Sequence, residues 1–185
     1  MAQSEAIGFG WRREYLRLTY EAGRYRSYEG IIREAAECVG VSKAHADALI
    51  DRWSELTPWA EAPGVVRALL DRGIVVGVAT NSSIALATIA IGAVGVSIPV
   101  VVTAEEAGYY KPHPRPYRLA LERLACDAND VLFVAGSASD VPGAAGVGMP
   151  VFWHNRMRLP APDSRVAPLG VAGSLSPVLE LVGAA

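Results

Sequence analysis

The sequence predicts an α/β fold, a Rossmann-like parallel sheet core preceded by a small, all-helical part. Three observations predict it. From Pro63 onward, short apolar runs rich in β-branched residues alternate with helical patterns, and strands separated by helices imply a parallel sheet with right-handed crossovers. Before that point, residues 8–60 carry apolar side chains at helical spacing and no strand-like run. Polar residues follow three of the runs, and in such sheets ligands bind beyond the carboxyl ends of the strands. The division expected is a helical subdomain over 8–60 and the α/β core over 63–185. A chain of 185 residues suffices for one solid core with an appended cap.

Taken in order, Trp11, Tyr15, Leu16, Leu18 and Tyr20 give a first helix its apolar side. Ser27 caps a second helix carrying Ile31, Ile32, Ala35, Ala36 and Val39, with Gly40 as the residue past its end. Ser42 caps a third, with Ala46, Leu49, Ile50 and Trp53 on one side. Thr57-Pro58 and Pro63-Gly64 break the pattern. Residues 65–72 read as a helix ending at Gly73. The continuous apolar run 74–79 reads as a strand buried on both faces. Then follow a helix over 83–91, a strand over 99–103, a proline-started helix over 115–124 and a strand over 131–134. A short helix over 142–147, a strand over 151–153 and a closing helix over 174–181 complete the series. The Pro-, Ala- and Gly-rich stretch 158–173 reads as a surface loop.

Composition narrows the function classes. Half the residues are hydrophobic (51%) and 19% are charged, as in a globular protein. A net charge of −2 provides no field for nucleic acid or an anionic membrane. Arg12, Arg13, Arg17, Arg24 and Arg26 make the N-terminal stretch locally basic, read as a solvated helix face. Cys38 and Cys126 lack metal-ligand spacing and read as buried free thiols of a reducing compartment. The first residues show no signal-peptide pattern, and the apolar stretch 84–102 is interrupted by Gly92, Gly95, Ser97 and Pro99. The expected location is the cytoplasm.

Three motifs carry chemistry. Thr80-Asn81 ends an apolar strand, where a hydroxyl, an amide and exposed backbone N–H groups hold a carboxylate or phosphate oxygen; the structural alternative is a helix cap. Lys111 stands before Pro112 and Pro114, which stiffen the loop presenting its ammonium, a compact anion-binding charge. Asp140 follows a buried strand and a Gly-Ser turn. There it pairs with Lys111, or caps the helix begun near Pro142.

In order, spacing and strand context, these segments resemble the haloacid dehalogenase superfamily, and within it the L-2-haloacid dehalogenase branch. The likeness runs from Trp11 to about Asn155. It implies an arginine for the leaving halide at Arg12, the substrate carboxylate's hydroxyl at Thr80 and an amide helping to receive halide at Asn81. It also implies the lysine that steadies the nucleophilic carboxylate at Lys111, the family's tyrosine at Tyr117, an electrostatic partner at Asp140 and water positioning at Ser137. The superfamily's magnesium-dependent phosphatases carry Gly-Asp-Ser-x-x-Asp at the fourth motif. Here Ala135-Gly136-Ser137-Ala138-Ser139-Asp140 has glycine for the first acid, and one carboxylate is a poor magnesium site. No metal and no cofactor are therefore expected. The dehalogenase pattern Ser-Ser-Asn-x-x-Asp is also altered, with Ala135, Ser137 and Ser139 at its first serine, its asparagine and its bulky aromatic.

The family's first motif, Asp-x-x-Gly-Thr on a central strand some thirty residues before the cap arginine, has no counterpart. Only eleven residues precede Arg12, none of them aspartate. Two explanations fit: a shortened version of a longer protein, as an incorrect start site would produce, or a sheet closed in another way. The leading functional expectation is a metal-independent hydrolase acting on a small 2-halo carboxylic acid. The alternatives are a catalytically silent relative that keeps the anion pocket, and a relative recruited to non-hydrolytic biosynthetic chemistry with His113 and Glu105 or Glu106 as proton carriers. The expected partner is a small anionic substrate, without nucleic acid or membrane. Core exposed by the absent strand would favour a homodimer.

Overall fold

The computed structural model describes residues 2–162 and 165–183. Its N-terminal part is helical: α1 (Ala2–Glu21), α2 (Tyr28–Cys38) and α3 (Lys43–Asp51), then a 3-10 turn over Trp53–Glu55. Ser27 caps α2 by accepting from the Gly30 N–H, and Ser42 caps α3 by accepting from the His45 N–H. Gly40, past the end of α2, lies at φ +75°, a conformation that suits glycine because it lacks Cβ. Ile31, Ile32, Ala35 and Ala36 are wholly buried along one side of α2. The Trp11 indole donates to the Ile32 carbonyl at 2.9 Å, tying α1 to α2.

The α/β part runs α4 (Ala62–Asp71), β1 (Gly77–Thr80), α5 (Ile84–Gly92), β2 (Val100–Thr103), α6 (Ala104–Ala107) and α7 (Pro114–Leu124). It continues with β3 (Phe133–Ala135), α8 (Asp140–Ala145), β4 (Val151–His154), β5 (Gly170–Ala172) and α9 (Val178–Leu181). All strand pairs are parallel. The α/β architecture with parallel strands matches the expectation.

Several details differ from the sequence reading. The strands form two sheets, β1-β2 and β3-β4-β5, rather than one. The run 74–79 does not form a strand buried on both faces. Pairing begins only at Gly77, Val75 is 60% exposed, and among the described residues β1 has a partner on one side alone. By contrast β4, paired on both sides, is buried throughout. β5 lies inside the stretch read as a loop; its ends are flanked by exposed Leu169 and it presents exposed Val171, so no apolar run marks it. The closing helix is shorter than expected, because Ser174 to Pro177 precede it as bends and turn. Both cysteines are exposed rather than buried, Cys38 at the last turn of α2 and Cys126 in the turn after α7. In the basic N-terminal stretch Arg17 and Arg26 are solvated, as read, though Arg24 and Arg26 lie past the end of α1. Arg17 is paired with Glu14 and Glu21, and Arg26 with Glu34.

The helical part and the α/β part share a hydrophobic cluster. Leu18, Tyr28, Ile31 and Ile32 pack with Leu86, Ala104 and Tyr110. Trp53 donates its indole N–H to the Leu86 carbonyl at 3.1 Å, and the Tyr110 hydroxyl donates to the Arg26 carbonyl at 2.5 Å. Three further clusters pack on the strands: Val65, Leu69, Phe152 and Val178; Tyr117, Ala135, Val141 and Trp153; and Val102, Ala107 and Ala120 with Ala79. Among the described residues no helix is long and apolar enough to cross a membrane.

Candidate active site

Parallel strands deliver their carboxyl ends to one side of the molecule, and there a cavity of about 390 Å³ opens. Ala79, Thr80 and Asn81 at the end of β1 line it, as do Gly136 and Ser137 after β3 and His154 at the end of β4. From above, α1 contributes Arg12, Leu16 and Tyr20, which repeat every fourth residue and so share one helix face.

The centre of the site is a chain of polar contacts. Asn81 and Lys111 are clamped through the backbone. The Lys111 N–H donates to Asn81 Oδ1 at 2.8 Å, and Asn81 Nδ2 donates to the Lys111 carbonyl at 3.2 Å. The Lys111 ammonium donates to Asp140 Oδ2 at 3.1 Å, with both side chains about one-tenth exposed. It also lies 5.5 Å from the centre of the Phe133 ring. The other oxygen of Asp140, Oδ1, accepts from the Tyr117 hydroxyl at 2.7 Å. Tyr117 is fully buried, and burial, reinforced by the Asp140 charge, holds its phenol far above the usual range, so it stays a donor. Asp140 is thus satisfied by Lys111 and Tyr117, and α8 takes Ser139 at its N-cap position without a side-chain bond. Thr80 and Asn81 do not cap α5 either; Ser83 does, accepting from the Leu86 N–H at 3.2 Å. The Thr80 hydroxyl instead accepts from the Ser82 N–H at 3.2 Å and meets the Ser82 hydroxyl at 3.1 Å.

The residues singled out from sequence fall into two groups. Arg12, Thr80, Asn81, Lys111, Ser137 and Asp140 converge on the cavity. Tyr117 lies behind its wall, touching Asp140 rather than the open space. The proton carriers of the non-hydrolytic alternative lie elsewhere. His113 stacks on Tyr109 at 4.0 Å and accepts from the Arg115 N–H, Glu105 accepts from the Ile84 N–H, and Glu106 closes a capping box with Thr103 and pairs with Arg123.

Sequence reasoning missed Leu16, Tyr20, Trp59, Val134, His154, Arg156 and Met157 on the wall. Tyr20 was legible as the third member of the Arg12-Leu16-Tyr20 face; its hydroxyl meets that of Ser137 at 2.7 Å. His154 and Arg156 follow the last apolar run, where the strand-end rule already pointed. Arg156 is fixed by Glu61 at 2.8 Å and by stacking 4.3 Å from the centre of the Trp59 ring. His154 is buried, its Nε2 has no hydrogen-bond partner among the described residues, and burial pulls its imidazole below the usual histidine range.

The wall therefore carries three cations, Arg12, Lys111 and Arg156, and one carboxylate, Asp140. Arg12 is paired with no carboxylate among the described residues, and its charge pulls against the burial that raises the Tyr15 phenol. Such a site attracts a small anion. It does not assemble hard-oxygen ligands for magnesium, because Gly136 offers no side chain and both Asp140 oxygens are engaged. Among the described residues no cluster of three or more His, Cys, Asp or Glu stands ready for a metal ion.

Comparison with known proteins agrees with this geometry. The chain is 28% identical over 165 residues to an (S)-2-haloacid dehalogenase of Pseudomonas putida, covering 83% of this chain and 73% of that enzyme. It is 29% identical over 157 residues to haloacetate dehalogenase H-2 of a Moraxella species, covering 79% and 70%. The crystal structure of a dehalogenase with an intermediate complex superposes with a TM-score of 0.86 at 25% identity, covering 97% of this chain and 84% of that one. Residues 2–148 match the family of haloacid dehalogenase-like hydrolases, and the chain belongs to that family.

Proposed function

We propose that this chain is a metal-independent hydrolase of the dehalogenase type whose cavity binds a small 2-halo carboxylic acid. The observation that carries the reading is the cationic wall, in which Lys111 is held in place by Asn81, Asp140 and Phe133 while Arg12 has no carboxylate partner among the described residues. In this reading Arg12 receives the leaving halide. Thr80 and the remaining N–H of Asn81 hold the substrate anion. Lys111 and Asp140 set the field, Ser137 positions water against Tyr20, and Tyr117 orients Asp140 from behind. The helices α1–α3 serve as the cap, and the working location is the cytoplasm.

Displacement of halide by a carboxylate needs a free oxygen in line with the carbon–halogen bond. Asp140 is the one carboxylate on the described wall, and its oxygens are held by Lys111 and Tyr117. Asp140 therefore acts through its charge and not as the nucleophile.

Titration with 2-chloropropionate tests the anion site without requiring turnover. Saturable binding is expected, weakened about tenfold or more in Lys111→Ala, since a charge-assisted contact contributes about 1.5–3 kcal/mol. Equal binding by parent and variant would remove the assignment. Chloride release from the same acid tests the hydrolase reading directly.

A further inference from the structure

The cavity wall has two chemically different ends. At one, beside the first sheet, stand Lys111, Thr80 and Asn81, assigned to the substrate's carboxylate. At the other, past the end of β4 in the second sheet, stand His154 and Arg156 with Trp59. The proposed chemistry leaves this second end without a task, yet it is built. Asn155 ties its loop to itself, Nδ2 donating to the Leu159 carbonyl at 2.9 Å and Oδ1 accepting from the Leu159 N–H at 2.7 Å. Arg156 projects from that closed loop, stacked on Trp59 and bound to Glu61 through Nη1 at 2.8 Å. The bond to Glu61 leaves the other N–H donors of the guanidinium plane for a ligand, while the acid offsets the charge. The pair thus offers directed donors and little net charge.

His154 supplies the opposite polarity. It is 7% exposed, and its Nε2 has no hydrogen-bond partner among the described residues. Burial disfavours the charged ring, and a backbone hydrogen bond with Gly173 pulls the other way. With Nε2 unpartnered, the Gly173 bond falls on Nδ1, so the neutral ring keeps its proton there and Nε2 presents a lone pair. A buried acceptor left unpaired is costly, and a ligand that donates to it recovers that cost.

We infer that the β4 end of the cavity is a second subsite, which takes an uncharged group that both accepts and donates, a carboxamide, from a ligand whose other end is a carboxylate. The amide oxygen accepts from Arg156, and an amide N–H donates to His154 Nε2. A second carboxylate fits poorly, because it has no proton for His154 and meets the charge of Glu61 beside Arg156. A ketone satisfies Arg156 alone and leaves Nε2 unpaired. For the reaction proposed above, the substrate class is then a 2-halo acid with a carboxamide at its far end. The inference rests on the reading of the Lys111 end as the carboxylate site.

The test uses acids of one shape that need no turnover: succinamate, 4-oxopentanoate and succinate, each titrated into the intact chain by calorimetry. Succinamate should bind about fivefold or more tighter than 4-oxopentanoate, which accepts but cannot donate, and than succinate. In His154→Leu the advantage over 4-oxopentanoate should vanish, and retained binding of 4-oxopentanoate reports that the variant is folded. The ligand series on the parent decides the proposal even without the variant. Equal binding of succinamate and 4-oxopentanoate by the parent would overturn it. Tightest binding of succinate would do the same, since the second end would then be a cationic site, as would an advantage that survives in His154→Leu. 2-Chloropropionate is titrated beside them. If it binds while succinamate gains nothing, the second subsite is wrong and the carboxylate site stands; if neither binds, both fall.

Discussion

Gly143 sits in α8 directly over the Tyr117–Asp140 contact, and replacing it by alanine probes how tightly that contact is packed. A Cβ at residue 143 would lie 2.5 Å from the Tyr117 hydroxyl, 2.9 Å from Pro112 Cβ and 3.0 Å from Tyr117 Cζ. The first two distances are inside van der Waals contact, and Tyr117 is fully buried, so the ring has no free direction in which to swing. Overpacking of this kind costs about 1–3 kcal/mol. Pushing the hydroxyl off the Asp140 carboxylate loses a charge-assisted hydrogen bond of about 1.5–3 kcal/mol. Against this, alanine gains about 1 kcal/mol over glycine inside a helix. The net expectation for Gly143→Ala is a destabilisation of about 1.5–5 kcal/mol, read from urea midpoints at unchanged m. Two companions isolate the cause. Gly64→Ala, inside α4 with no atom within 4 Å of the added Cβ, should stabilise by about 0.5–1 kcal/mol. In a Tyr117→Phe background the nearest contact disappears, and Gly143→Ala should then cost at least about 1 kcal/mol less. If Gly143→Ala is as stable as the parent while Gly64→Ala behaves as expected, the packing argument for Asp140 is wrong.

Lys111→Ala leaves Asp140 buried without its cation and should lower stability by about 3–5 kcal/mol in chemical denaturation; a loss under 1 would mean the pair is already wet. His154 has its imidazole pulled below the usual histidine range, so the folded state binds fewer protons than the unfolded one as pH falls from that range. Its contribution to stability is full above the ordinary histidine value and is lost as pH drops through the folded one. In His154→Asn the fall in melting temperature between pH 7 and pH 5 should be smaller than in the parent; an identical fall would show that other groups govern it. Ser83→Ala removes both the cap to Leu86 and the bond to Glu29, and should cost about 1 kcal/mol or somewhat more in thermal unfolding. If the apolar edges of β1 and β3 meet those of a second copy, sedimentation equilibrium should read a mass twice that of the chain; a single-chain mass would remove that expectation.

What was legible follows from which interactions are local. Caps are local, so Ser27, Ser42 and the Gly40 stop were readable from neighbouring residues. The alternation of runs and helices gave the parallel α/β order, and the strand-end rule placed Thr80, Asn81, Lys111 and Asp140 together. Pairing is not local. Residues 74–76 have the composition of a strand, yet pairing starts at Gly77, because a strand is completed by its neighbours and not by its own side chains. β5 is short and pairs only at one side of β4, so nothing in its side chains announces it. The cysteines illustrate the same limit: thiols are usually buried as a class, but helix ends and turns at residues 38 and 126 put these two at the surface. Arg156 needed tertiary information as well, since Glu61 and Trp59, which fix it, lie 95 and 97 residues earlier in the chain.

The polar chain at the site also has a mechanical consequence in a divided sheet. Asn81 follows β1, which belongs to one sheet, while Asp140 follows β3, which belongs to the other. Lys111 is bound to both, by its backbone to Asn81 and by its ammonium to Asp140, and Tyr117 on α7 anchors the far oxygen. No strand pair joins the two sheets among the described residues, so this chain of contacts and the packing of α7 hold the strand ends in register. Electrostatic and structural roles therefore cannot be separated by Lys111→Ala alone, which removes both. Asp140→Asn divides them better. It keeps an oxygen to accept from Lys111 or Tyr117 and so preserves most of the tie, while removing the negative charge that offsets Lys111. If the tie is what matters, Asp140→Asn should leave the exchange rates of β1 and β3 amides within about threefold of the parent. If charge governs the cavity, the same variant should bind 2-chloropropionate more tightly, because Lys111 then faces the anion without the acid that offsets it, beside Arg12. Weaker anion binding together with faster exchange would show that Asp140 organises the strand ends before it tunes their field.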